Sequence, residues 1–174
     1  MQHAHIPVLG FAAFSGTGKT TLLCQLIPLL KRQHLRVGLI KHSHHNFQID
    51  HPGKDSFRLR EAGATPVMLV SSHRRAIITE FSAIEEPCLD DQLKVLDQTE
   101  LDLILVEGFK AESIPKIELY RPILNKPLLY PNDPDIIAIA TDSDLHIPDY
   151  LTKLDINQPK QIATFILETF MRPL

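Results

Sequence analysis

The chain has 174 residues, of which 44% are hydrophobic, and a formal net charge of −3. This length and apolar content predict one compact domain over residues 1–174, and the charge argues against nucleic acid or an anionic membrane as the main partner. The two cysteines lack metal-binding spacing, and we find neither a secretion signal nor an apolar run of about 18 residues, so we expect a soluble, cytoplasmic protein.

Short apolar runs alternate with helical patterns along the chain. Strands are predicted at Pro7–Phe14, Arg36–Lys41, Thr65–Ser71, Ala76–Thr79, Leu101–Val106, Ile114–Tyr120 and Ile136–Ala140. Helices are predicted from Lys19 to about Gln33 and at Lys54–Ala62, Leu89–Leu96 and Pro159–Met171. The alternation predicts an α/β fold of the P-loop NTPase type, with a mostly parallel sheet, helices on both faces and an added β-hairpin.

Residues 13–20, Ala-Phe-Ser-Gly-Thr-Gly-Lys-Thr, match the phosphate-binding pattern G-x-x-x-x-G-K-[ST] except that Ala13 replaces the first glycine. A loop between a strand and a helix directs backbone N–H groups at phosphate, and Lys19 would reach the β- and γ-phosphates. Thr20 would bind Mg²⁺, and Thr21 would contact the α-phosphate. The predicted nucleotide-binding residues of this loop are Ser15, Gly16, Thr17, Gly18, Lys19, Thr20 and Thr21.

A second carboxylate is expected at the end of the strongest strand. The run from Leu101 to Val106 ends at Glu107, a position where such strands place an acid near Mg²⁺ or the attacking water. We therefore predict Glu107 as a metal ligand with Thr20 and, with Lys19, as a catalytic residue. Asp102 begins the same strand at its opposite end and is expected to be structural.

Other polar segments suggest weaker roles. The histidine-rich loop over residues 42–51 has no sulfur ligand and is interpreted as a polar loop beside the phosphates rather than a zinc site. Lys41 and His42 either contact nucleotide or substrate or are simply exposed. Residues 125–128, Asn-Lys-Pro-Leu, lack the aspartate of the N-K-x-D guanine motif, so we predict Asp142, which follows the strand at 136–140, as the base-reading residue.

Several segments together resemble the MobB family of molybdopterin-guanine dinucleotide biosynthesis adaptors. They are Ser-Gly-Thr-Gly-Lys-Thr-Thr at 15–21, Gly-Leu-Ile-Lys-His-Ser-His-His at 38–45, Pro-Gly-Lys-Asp-Ser at 52–56, Arg-Glu-Ala-Gly-Ala at 60–64 and Leu-Asp-Leu-Ile-Leu-Val-Glu-Gly-Phe-Lys at 101–110. By resemblance, Gly16, Gly18, Lys19, Thr20 and Thr21 match the family's phosphate loop and Glu107 matches its acidic residue.

The resemblance implies a homodimer that binds GTP with Mg²⁺, hydrolyses it weakly and assists the molybdopterin guanylyltransferase that attaches GMP to molybdopterin. Molybdopterin itself is a further expected ligand. No motif supplies an arginine finger or a water-orienting glutamine, which agrees with slow hydrolysis. The alternative function is an ATP-dependent small-molecule kinase or ligase, in which Lys41 and the histidine-rich loop would bind the acceptor.

Overall fold

A computed structural model describes residues 1–43, 46–83 and 85–172. The chain divides into two compact units, one comprising Met1–His42 and Pro87–Leu174 and the other Ser43–Glu86. The single domain over residues 1–174 stays a prediction, because a compact unit need not fold independently. His44 and His45 of the predicted histidine-rich loop lie outside the described residues. Within the described ranges, no helix combines the length and apolar character needed to cross a membrane.

The observed elements follow the predicted order closely. In chain order they are β1 (Val8–Ala12), α1 (Lys19–Arg32), β2 (Val37–Lys41), α2 (Asp55–Glu61), β3 (Val67–Val70), β4 (Arg75–Ile78), α3 (Leu89–Val95), β5 (Leu103–Glu107), β6 (Lys116–Tyr120), β7 (Ile136–Thr141), β8 (Thr152–Asp155) and α4 (Pro159–Phe165). A π-helical turn at Ile166–Phe170 extends α4, and short 3-10 turns interrupt the proline-rich stretch 122–134.

The larger unit is built on a six-stranded sheet in the order β2-β5-β1-β6-β7-β8. All five neighbouring pairs are parallel, so every strand ends at the same edge, called here the carboxyl edge. Every residue of β1 and β5 is buried, as expected for central strands covered on both faces. The predicted fold class, with a mostly parallel sheet and a separate hairpin, is confirmed.

Helices cover both faces of this sheet. Leu103 and Leu105 of β5 pack in the same cluster as α1 and α4, whereas Ile104 and Val106 pack in a second cluster with α3. Successive strand side chains point to opposite faces, so the one apolar run of β5 contributes to both cores. α1 continues through Pro28, although proline lacks the backbone N–H that an interior helical position uses.

Strand β8 was not predicted from the sequence. Its residues Thr-Lys-Leu-Asp contain one apolar side chain, Leu154, which is buried, while Thr152 and Lys153 are exposed. An edge strand with one buried side chain has little apolar periodicity, so the sequence pattern does not predict it. Its pairing with β7 is seen only in the structure.

The smaller unit contains α2 and the predicted hairpin of β3 and β4. The two strands pair antiparallel, with Met68 opposite Ile77. Gly63 follows α2 with a φ of +102°, a left-handed conformation that suits glycine at a helix end. Met68, Val70 and Ile77 share one face of the hairpin and are 56%, 70% and 49% exposed. That face therefore carries three exposed apolar side chains, with Arg75 opposite Val70 on the same side.

Candidate nucleotide-binding site

The glycine loop lies where β1 passes into α1, at the carboxyl edge and beside β5 and β6. Gly16 and Gly18 have φ angles of +83° and +100°, a region that L side chains rarely adopt. Ala13, which replaces the first glycine of the motif, is 1% exposed and continues the buried end of β1. The loop has the local geometry that the sequence pattern predicts.

Lys19 begins α1 and folds back over the loop. Its Nζ donates to the carbonyl oxygens of Ala13 at 3.1 Å and Phe14 at 3.2 Å. Burial lowers the pKa of Lys19; the charge of Glu107 opposes this change, and the charges of Lys110 and Lys41 add to it. The Lys19 ammonium thus lies within the electrostatic reach of groups from three other segments.

The remaining predicted loop residues differ in exposure. Thr17 is 2% exposed and donates from its Oγ1 to the Phe14 carbonyl oxygen at 2.8 Å, which closes the loop on itself. Ser15, Thr20 and Thr21 are exposed, with the two threonines in the first turn of α1. Their hydroxyl groups are accessible to a ligand at the helix N-terminus.

Glu107 ends β5 between the ends of β1 and β2. It lies in register with Phe11 of β1 and Lys41 of β2, and it is 7% exposed. The Nζ of Lys41 is 3.2 Å from Glu107 Oε2. The predicted acid is therefore brought to the same edge as the glycine loop, as its position in the sequence implied, and Lys41 is its basic neighbour.

A close backbone approach follows Glu107 directly. Gly108 has a φ of +104°, and a Cβ added there would lie 2.9 Å from both the Cβ and the carbonyl oxygen of His42. The His42 backbone N–H donates to the Glu107 carbonyl oxygen at 2.8 Å, and the His42 ring lies 5.0 Å from that of Phe109. The absence of a side chain at Gly108 allows the backbone of His42, directly after β2, to approach the backbone directly after β5.

Asp142, the predicted base-reading residue, lies just after β7 and is already paired. Its Oδ2 accepts a hydrogen bond from Arg121, whose other guanidinium nitrogens donate to Asn157 Oδ1 at 3.0 Å and to the Thr17 carbonyl oxygen at 3.2 Å. Arg121 thus connects the glycine loop to Asp142. The sequence interpretation missed Arg121, although its place directly after β6 at the carboxyl edge could have indicated it.

A cavity of about 510 Å³ opens beside Asp142. Its lining residues come from the ends of β7 and β8 and the start of α4; they are Thr141, Asp142, Ser143, Asp144, Lys153, Leu154, Asp155, Asn157 and Gln161. Its volume falls within the range of about 300–1,000 Å³ common for small-molecule sites. The cavity therefore has room for a heterocyclic base beside the predicted reader.

Two lysines that the motif analysis did not use lie against the glycine loop. The Nζ of Lys110 is 4.9 Å from the centroid of the Phe14 ring, and that of Lys126 is 5.9 Å away. Lys126 belongs to the segment 125–128 that was set aside as an incomplete guanine motif. The sequence analysis gave Lys126 no role, whereas the fold places its ammonium group near the loop.

The opposite end of β5 has a different arrangement. The guanidinium and backbone N–H of Arg36 donate to both carboxylate oxygens of Asp102 at 2.8–3.0 Å. These hydrogen bonds lower the pKa of Asp102 to about 2. The predicted structural role of Asp102 is consistent with this pairing, which joins β5 to the residue before β2.

The fold and the site together define an open parallel α/β protein with a glycine-rich loop between strand and helix at its carboxyl edge. The model of the family described as "Molybdopterin guanine dinucleotide synthesis protein B", MobB, matches residues 8–142. The chain belongs to the MobB family, and the resemblance found in its motifs is confirmed.

Relatives agree over nearly the whole chain. It is 51% identical to the molybdopterin-guanine dinucleotide biosynthesis adapter protein of Haemophilus influenzae, over 92% of this chain and 88% of the relative. The identity to the Escherichia coli protein of the same name is 48%, over 94% of this chain and 93% of the relative.

Solved structures support the same assignment. A crystal structure of molybdopterin-guanine biosynthesis protein B has a TM-score of 0.71 and 26% identity, covering 92% of this chain and 97% of that one. Bacillus subtilis MobB also has a TM-score of 0.71, covering 97% of this chain and all 100% of that one; its 22% identity supports the fold alone.

Proposed function

We propose that this chain is an adaptor in molybdopterin-guanine dinucleotide biosynthesis that binds GTP with Mg²⁺ at the glycine loop. The family membership and the adapter role named for two relatives at 51% and 48% identity support this function. The observation that carries nucleotide binding is the loop itself, with two left-handed glycines and Lys19 folded over it at the start of a helix. The partner is the guanylyltransferase that joins GMP to molybdopterin, with molybdopterin as a further ligand.

In this proposal the phosphates occupy the loop from Ser15 to Thr21. Backbone N–H groups at the start of α1 bind the phosphate oxygens, helped by the helix dipole. Lys19 moves its hydrogen bonds from the loop carbonyls to the β- and γ-phosphates, and Thr21 binds the α-phosphate. The Thr20 hydroxyl and the Glu107 carboxylate hold Mg²⁺, which neutralises part of the phosphate charge.

The base would lie in the cavity beside Asp142. A carboxylate there can accept from the two N–H donors that guanine presents on one edge and adenine does not. Arg121 orients the Asp142 carboxylate and connects it to Thr17, so the base and phosphate positions are joined by one side chain. This arrangement supports GTP over ATP.

The adaptor is expected to turn over slowly and to act as a cytoplasmic homodimer. Cys24 and Cys88 are free and exposed, which suits a reducing compartment. The apolar hairpin face of Met68, Val70 and Ile77 offers a surface for a second copy. Light scattering of the purified chain at micromolar concentration is expected to give twice the monomer mass, and a monomeric mass would remove the dimer from the proposal.

Calorimetric titration with GTP and with ATP in Mg²⁺ tests the proposal. We expect GTP to bind more tightly, and Lys19→Ala to weaken binding at least about tenfold, because a charge-assisted contact is lost. Lys31→Ala is the matched control, since Lys31 is an exposed lysine in the last turn of the same helix.

The outcomes separate the candidate functions. If the chain bound neither nucleotide, the proposal of a nucleotide-dependent adaptor would be overturned. A preference for ATP, with phosphate transfer to a small acceptor, would replace it by the kinase or ligase alternative, in which Lys41 binds the acceptor.

A further inference from the structure

Two lysine side chains from separate loops converge on one aromatic ring of the glycine loop. Lys110 comes from the loop after β5, and Lys126 from the proline-rich stretch after β6. Their ammonium nitrogens are 4.9 Å and 5.9 Å from the centroid of the Phe14 ring. An aromatic face attracts a cation within about 6 Å, so the ring holds both groups above the start of the loop.

Buried side chains of β6 hold both loops in place. Lys116 is 2% exposed, and its Nζ donates to the Lys110 carbonyl oxygen at 3.1 Å and to Asp133 Oδ2 at 2.7 Å. Glu118, two residues along the same strand, is 1% exposed and accepts from the backbone N–H groups of residues 129 and 130 at 2.7 Å and 2.9 Å. Lys116 thus fixes the backbone at Lys110, and Glu118 fixes the segment that begins three residues after Lys126.

The charge around Lys19 is unbalanced toward positive. Among the described residues, the charged groups that shift the pKa of Lys19 are two cations, Lys41 and Lys110, and one anion, Glu107. Like charges gathered at one point repel each other unless an anion binds between them. The site is therefore complementary to a polyanion with more negative charge than Glu107 supplies.

The position of Phe14 indicates which phosphate these lysines would meet. Lys19, which would reach the β- and γ-phosphates, contacts the Phe14 carbonyl oxygen at 3.2 Å. Thr21, expected at the α-phosphate, comes two residues further along α1. Lys110 and Lys126 therefore lie beside the residue whose carbonyl oxygen binds Lys19, the side chain expected at the β- and γ-phosphates.

We propose that Lys110 and Lys126 bind the terminal phosphate of the nucleotide, so that the site distinguishes a triphosphate from a diphosphate. This inference rests on the proposed binding of GTP at the loop and adds the groups that detect its γ-phosphate. Lys110 is the principal contact, because it is closer to the ring and acts on Lys19. Loss of the γ-phosphate returns both ammonium groups to the Phe14 ring.

The test is the ratio of two dissociation constants, that for GDP divided by that for a non-hydrolysable GTP analogue, measured by calorimetry in Mg²⁺. Lys110→Ala is expected to lower this ratio about tenfold, the effect of one charge-assisted hydrogen bond, while GDP affinity changes little. Lys126→Ala is expected to lower it less, and the double variant more than either. Lys110→Arg keeps the charge and is expected to retain most of the ratio.

The controls separate this inference from the proposed function. Lys31→Ala changes the net charge equally but lies at the far end of α1, and it should leave the ratio unchanged. An unchanged ratio in the double variant, or equal weakening of both nucleotides, would overturn terminal-phosphate recognition while GTP binding stood. If the wild-type chain bound neither nucleotide, both proposals would fail together. Lys110 and Lys126 are exposed, so their variants are expected to fold, as circular dichroism can verify.

Discussion

Strand β5 has an acid at each end, and the two acids have opposite environments. Asp102, before the strand, receives hydrogen bonds on both oxygens from the backbone and side chain of Arg36. Glu107, at the carboxyl end, has the Nζ of Lys41 3.2 Å from its Oε2 and also interacts electrostatically with Lys19. Both carboxylate oxygens of Asp102 are thus occupied by hydrogen bonds from Arg36. The carboxylate of Glu107 can instead give up its ion pair with Lys41 in favour of a ligand.

The difference shows that the amino end of β5 contributes to stability, whereas its carboxyl end has the properties of a binding site. Parallel strands bring all their carboxyl ends to one edge, where the ends of β2, β5, β1 and β6 lie side by side. The amino end joins neighbouring strands through a local ion pair. The carboxyl end has glycines, exposed hydroxyl groups and surplus positive charge, which are the properties of a binding edge.

The largest expected effect is on the backbone contact at the carboxyl end. Gly108→Ala should lower the free energy of unfolding by about 2–3 kcal/mol, because it adds a left-handed alanine and a 2.9 Å clash with the His42 backbone. Gly16→Ala is the matched control: it has φ +83° but no atom within 4 Å of the added Cβ, so about 1 kcal/mol is expected. Urea denaturation without nucleotide measures both, and equal losses would show that the His42 contact is unimportant.

A smaller effect should distinguish the two acids in ligand binding. Glu107→Gln is expected to weaken GTP binding in Mg²⁺ about tenfold, because the amide is a poorer metal ligand than a carboxylate. Asp102→Asn, at the other end of the strand, should leave GTP affinity within about twofold, since it is remote from the loop. Calorimetry at several Mg²⁺ concentrations checks both, and a loss for Glu107→Gln that persists without Mg²⁺ would contradict the metal role.

The smallest expected effect is the pH dependence of the amino-end pair. The folded-state pKa of Asp102 is about 2, below its ordinary value of 3.8, so its ionised form stabilises the fold above pH 4. That contribution is lost progressively as the pH falls from about 4 to below about 2, and it is gone only where the carboxylate is protonated in both states. The difference in free energy of unfolding between wild type and Asp102→Asn should be constant near neutral pH and fall steadily over this interval. A difference at pH 2 as large as that at neutral pH would mean that the ion pair is not its source.

Most of the fold could be predicted from the sequence, because its elements have strong local patterns. The apolar runs of β1 and β5, the glycine loop and the helix after it are each encoded within a few consecutive residues. Strand β8 has one buried apolar residue, and its pattern was too short to distinguish it from a loop. The position of Glu107, in contrast to β8, could be predicted because this residue directly ends a strong strand.

The partners of the site residues could not be predicted in the same way. Arg121 meets the loop and Asp142 because β6 lies between β1 and β7 in the sheet. Lys110 and Lys126 reach Phe14 for the same reason, from loops that are far away along the chain. No local spacing connects these residues.

The sequence by itself determined the fold class, the phosphate-type loop and the acid at the end of β5, because hydrophobic periodicity and glycine conformation act over short distances along the backbone. Only the tertiary structure decided which cations surround that loop and which residue holds Asp142. Those contacts depend on the strand order, which is set by the packing of distant segments rather than by any one segment's pattern.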